Sequence, residues 1–164
     1  MLSVTIGQPP QAQLGQYQSG YVIDCGGAWL RVQARSLAIV LALEGDFDAF
    51  NSDRVSVALR RFVALGGPLI LDLNNLAFLG VAGFRALSSF DESCREQGVH
   101  CVMVVGPAVK PYLRIAPETP VTVAESVQGA LHQIADAIRE RRRVLKGFVA
   151  GNDQRSSAMH GGWP

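Results

Sequence analysis

A chain of 164 residues, 48% of them hydrophobic, has the length and apolar content of one packed domain. Fifteen Lys and Arg offset fourteen Asp and Glu, leaving a formal net charge of +1, which removes any bulk electrostatic case for nucleic acid or a membrane surface. Residues 1–10 have no basic n-region, and the apolar stretch 37–43 is far short of the ~20 residues of a spanning helix, so no membrane insertion is expected and the chain reads as cytoplasmic.

Residues 1–27 are rich in Gln, Gly, Pro and Ser, lack periodicity and read as a mobile leader. Leu30, Val32 and Ala34 then alternate with Arg31, Gln33 and Arg35, the period-two pattern of a strand with one wet face. A hairpin leads to residues 37–43, apolar on both faces as in a central strand. Val55, Ala58, Leu59, Phe62 and Leu65 recur at three and four, predicting an amphipathic helix over 53–65 with Asn51 or Ser52 as N-cap and Gly66-Gly67 as its end. A strand over 69–73, an Asn74-Asn75 loop and a helix over 83–97 follow, the last stopped by Gly98.

Residues 99–105 form another buried strand, Gly106-Pro107 leads to a short helix over 109–115, and a short strand is expected near Val121. Thr122 and Glu125 read as a capping box for a closing helix whose apolar stripe is Val127, Ala130, Leu131, Ile134 and Ile138. The basic run Arg139, Arg141, Arg142, Arg143 and Lys146 suits a solvated helix end, with nucleic acid or acidic lipid as the alternative and no aromatic residues interleaved to stack bases, and residues 141–164 read as a basic helix end and flexible tail. The order implies an α/β layered domain over 28–140: a mixed sheet of four to five strands, a first hairpin, later parallel strands and about four helices.

Three segments in this order carry a family resemblance. They are Leu43-Glu44-Gly45-Asp46-Phe47-Asp48, the stretch from Leu69-Ile70-Leu71-Asp72-Leu73 through Phe78 to Gly83-Phe84, and Gly98-Val99-His100-Cys101-Val102-Met103-Val104. The chain resembles the STAS domain family, which includes the anti-sigma-factor antagonists. That resemblance implies the STAS fold and a regulatory module that binds an anti-sigma factor of serine-kinase type, so freeing a sigma factor for transcription. In the family a hydroxyl just before a helix glycine accepts a phosphate, whose charge disrupts docking. Here Gly80 stands where the family has Asp, Val81 where it has Ser and Ala82 where it has the acceptor, while Gly83 matches. Ala82 thus marks a lost phosphoacceptor position. Ser88 and Ser89, further along the helix, are no substitutes.

By resemblance, Asp46, Asp48, Gly80, Val81, Ala82, Gly83 and Phe84 are candidate partner-binding residues. Asp46 or Asp48 also suits capping of the following turn, the favoured reading, and the place of Phe84 on the apolar stripe favours the core. Cys25, Cys94 and Cys101 are an odd number without metal-ligand spacing, so reduced buried thiols are expected, with a Cys94–Cys101 redox pair as the alternative. His100, His132 and His160 have no nucleophile beside them, and no phosphate-binding glycine loop occurs. No enzymatic activity, cofactor or metal is expected. A homodimer, an accessory subunit of a lipid ABC transporter, a stressosome-like scaffold, and a redox or small-ligand sensor stay open beside the regulatory reading.

Overall fold

Successive side chains of a β-strand point to opposite faces, and in the central strands both faces are apolar. The computed structural model describes residues 20–117 and 121–157, with side chains up to residue 150. Leu41, Leu43, Leu69, Leu71 and Met103 enter one buried cluster, while the intervening Val40, Ile70, Val102 and Val104 enter a second. Helices α1 (Ser52–Val63) and α2 (Val81–Glu96) cover the first face with Val55, Leu59, Phe62, Leu87, Phe90 and Cys94. The closing helix, α4 (Val127–Ser157), covers the second with Ala130 and Ile134. Each amphipathic stripe thus meets a sheet face of matching character.

The strands are β1 (Gly20–Asp24), β2 (Ala28–Ala34), β3 (Ile39–Phe47), β4 (Leu69–Asp72), β5 (Leu76–Leu79), β6 (Cys101–Val104) and β7 (Val123–Ala124), with the short α3 (Lys110–Ile115) before β7. Their order is β1-β2-β3-β4-β6-β7, antiparallel through β3 and parallel thereafter, and β5 also pairs parallel with β3. Residues Ile39 to Ala42 pair with β4 and Gly45 to Phe47 with β5, so one long strand carries two short ones. Between them the Asp72 carboxylate accepts the Asn74 N–H at 3.0 Å, forming an Asx turn.

Seven strands replace the four to five expected from sequence. The leader boundary at 27 is corrected, since residues 20–24 form β1; an exposed edge strand needs no strong apolar alternation, which hid it. Residues 1–19 lie outside the described residues. The capping box is also corrected. The Thr122 carbonyl accepts the Met103 N–H within the sheet, and Ser126 caps α4 by accepting the Gly129 N–H at 3.0 Å. The tail boundary moves as well, because α4 continues to Ser157 past Gly147 and Gly151.

Asn51 occupies the N-cap position of α1 but makes no side-chain cap. Its amide instead turns inward, donating to the Gly26 carbonyl at 3.0 Å and the Asp46 carbonyl at 2.7 Å, and accepting the Asp48 N–H at 3.2 Å. One buried side chain therefore clips the β1–β2 turn, the end of β3 and the start of α1. Replacing it by Ala leaves buried backbone groups unpaired, so Asn51→Ala is predicted to lose about 2–3 kcal/mol in urea denaturation. Asp72 supplies a pH test. Burial raises its pKa, opposed by the Asn74 hydrogen bonds, so the folded chain favours the neutral acid and stability falls as pH rises through the raised value. Asp72→Asn keeps an acceptor for Asn74, and is predicted to be more stable than wild type near pH 7. That advantage should shrink as the pH is lowered toward the unfolded carboxylate value, as measured by melts across the acid range.

Candidate functional site

At the end of β3 the Phe47 carbonyl accepts the Gly80 N–H at 2.8 Å, and the first turn of α2 rests on the same oxygen. A methyl group on Gly83 would collide with that oxygen and lie 2.9 Å from Leu79 Cδ1, so only glycine lets the helix sit this close. Gly45 permits the preceding step. Its φ of 90° and its approach to the Gly27 carbonyl suit glycine, and the β3–β5 register shifts between Gly45 and Asp46. The carboxylate of Asp48, next along, accepts the Phe50 N–H at 2.8 Å and so caps the turn into α1.

Gly80 is the N-cap of α2 and provides no side-chain acceptor, and the first turn holds no acidic residue. The positive end of this helix thus has no compensating group from its own first turn, and the acidic Asp48 lies beside its N-cap. A Cβ on Gly80 would stand 3.2 Å from Asp48 Cβ and 3.5 Å from Phe78 Cε1. A side chain here would press on Asp48, which would have to give by a few tenths of an ångström. Asp48, Phe78 and Gly80 are thus brought together, with Val81 and Ala82 directly beyond them.

The surroundings are apolar. Phe50 is 82% exposed, Val81 60% and Phe78 53%. Ala82 is half-buried and Asp46 exposed; the backbone of Asp46 belongs to the β3–β5 pairing and the Asn51 clip. Phe84 is half-buried, packs against the core and stacks on Tyr112 with ring centroids 4.9 Å apart. The Tyr112 hydroxyl donates to the Leu79 carbonyl at 2.6 Å, so α3 fastens the β5–α2 junction from behind. Between α1 and α2 runs an open groove of about 300 Å³, lined among others by Ser52, Arg60, Ala82, Arg85 and Ser89. Ser88 lies outside it, half-buried, its hydroxyl donating to the Phe84 carbonyl at 3.2 Å.

Cys94 and Cys101 lie side by side as free, buried thiols, about 18 Å of helix from Ala82. The hydrogen bond with Cys94 and then burial push the Cys101 thiol well above its usual range. Cys25 sits apart, pushed up to about 11 by burial and then Asp24, with Arg54 opposing. No cluster of His, Cys, Asp and Glu able to hold a metal occurs among the described residues.

The sequence did not single out Phe50, and it marked Phe78 only as part of the family motif, not as an exposed side chain. Phe50 stands in the polar turn Asp48-Ala49-Phe50-Asn51, where an aromatic ring has no stripe to join, and Phe78 lies on the exposed face of the short strand β5.

Comparison with known proteins agrees with this geometry. Osmosensory protein A of Mycobacterium tuberculosis is 38% identical over 133 residues, which span 78% of this chain and 84% of that one. An anti-sigma factor antagonist from Mycobacterium paratuberculosis has a similar fold, with a TM-score of 0.58 at 20% identity over 66% of this chain and 94% of that one. The phosphorylated form of the Bacillus cell fate determinant SpoIIAA shares the fold at a TM-score of 0.51 and 12% identity, over 64% and 98% of the two chains. The STAS domain model matches residues 30–130, more than half of the chain, and the protein belongs to the STAS domain family.

Proposed function

We propose that this protein is a non-catalytic regulatory module that docks on an anti-sigma factor of serine-kinase type through the N-terminus of α2 and the apolar residues around it. The observation that carries the reading is the exposure of Phe50, Phe78 and Val81 around Gly80-Val81-Ala82, where the family resemblance implies a polar, phosphorylatable triplet. Large apolar side chains left in water beside a helix end are typical anchors of a protein interface. Asn51, Gly83 and the Tyr112 hydrogen bond hold the underlying backbone rigid, so little ordering cost attends docking.

Ala82 has no oxygen to phosphorylate, so binding is not released by phosphate at that position. The relative named an osmosensory protein suggests osmotic stress as the condition under which this module acts.

The test is binding of the full chain to candidate anti-sigma kinases, followed by intact-mass measurement after ATP addition. Binding without a phosphate-sized mass gain, weakened about tenfold or more by Phe78→Ser or Phe50→Ser, is expected. Both side chains are largely in solvent, so the variants should keep the melting temperature of the wild type. Failure to bind any such kinase overturns the partner class, and release of bound kinase with phosphate gained on this chain overturns the unswitched reading.

A further inference from the structure

The stripe that docks α4 on the sheet continues after the sheet has ended. Val127, Leu131 and Ile138 pack with Ala130 and Ile134 against the second face. Leu145 follows Ile138 by seven residues, yet it is 57% exposed, and Val144, Phe148 and Val149 around it are 48%, 75% and 71% exposed. Every residue from 139 to 150 is exposed, so this part of the helix projects from the domain by about 18 Å at 1.5 Å per residue.

Arg139, Arg141, Arg142, Arg143 and Lys146 surround these apolar side chains. Asp136 pairs with Arg139 and Glu140 with Arg143, each at 3.2 Å, which leaves Arg141, Arg142 and Lys146 without an ion pair among the described residues. The net charge of +1 for the whole chain conceals this local excess.

Charge decides what can cover the stripe. A second copy of the same helix would bring like charges together along its length. Arg141 is also placed unfavourably for a protein partner: it stands seven residues after Ile134, on the stripe itself, beside a shallow cavity lined by Gly98 and His100. A protein surface closing over Leu145 and Phe148 would take that guanidinium out of water. A layer of anionic lipid headgroups meets both demands. Phosphate oxygens accept the Arg and Lys donors, the long stems reach outward, and the apolar side chains enter the acyl boundary.

We propose that the projecting part of α4 is a peripheral anchor that meets an anionic membrane surface with its far end. No helix among the described residues is long and apolar enough to cross a membrane, so the contact is superficial. The anchor lies on the helix of the second face and is independent of the docking surface at the start of α2.

The experiment is co-sedimentation of the full chain with phosphatidylcholine vesicles, with and without added phosphatidylglycerol, at low and high salt. Binding to the phosphatidylglycerol vesicles alone, lost at high salt, is expected. The double variants Leu145→Ser with Phe148→Ser, and Arg142→Glu with Lys146→Glu, should each reduce it about tenfold or more. These side chains are exposed, and circular dichroism of the variants checks that the domain stays folded. Absence of binding to the anionic vesicles overturns the proposal, as does binding that ignores both variants. A dimer in sedimentation equilibrium that Phe148→Ser dissolves, without vesicle binding, assigns the stripe to a second copy instead.

Discussion

The Phe47 carbonyl oxygen is the point on which the site end of this molecule is built. It accepts the Gly80 N–H and receives the first turn of α2 at a distance that only a residue without a Cβ allows. Through it the last residue of the longest strand fixes both the entry and the height of the helix. Neighbouring contacts depend on that placement: the Asp48 side chain lies against Gly80, Tyr112 reaches the Leu79 carbonyl, and Phe84 turns inward onto the Tyr112 ring. Asn51 secures the strand from the other side by joining Asp46 to the β1–β2 turn.

This arrangement explains why one residue of the signature is kept and the rest is not. Gly83 answers to backbone packing, and a side chain there disturbs the fold whatever the function. Positions 80 to 82 answer to the chemistry of the surface. They carry small and apolar groups, and Phe50 and Phe78 extend the same character outward. The helix end has no acidic residue in its first turn, and the rigid support under it is intact. At the other extreme, α4 carries an apolar and basic projection. The two exposed apolar features therefore lie on different elements and differ in charge.

Much of the fold was legible because the buried strands and docked helices announce themselves by period. Leu41, Leu71 and Val102 in apolar runs, and the stripe from Val127 to Ile138, leave little choice of environment. β1 and β5 were hidden for a physical reason. Each is short or exposed along much of its length, so its stability comes from pairing with β2 or β3 rather than from its own side chains. Asn51 was read as a cap because its position is that of a cap, yet tertiary demand for a clip between three segments took its amide elsewhere. The change at Gly80-Val81-Ala82 was visible in the sequence. The exposure of Phe50 and Phe78 was not, since exposure is set by how distant segments meet.

The central claim is that Gly83 is held by the backbone contact with Phe47 whereas position 82 is free of such demand. Urea denaturation of Gly83→Ala beside Ala82→Ser tests it most directly. Overpacking at the Phe47 carbonyl should cost Gly83→Ala about 1–3 kcal/mol, while the half-buried position 82 should accept a serine with a change of less than about 1 kcal/mol. Equal stability of Gly83→Ala and the wild type would contradict the account.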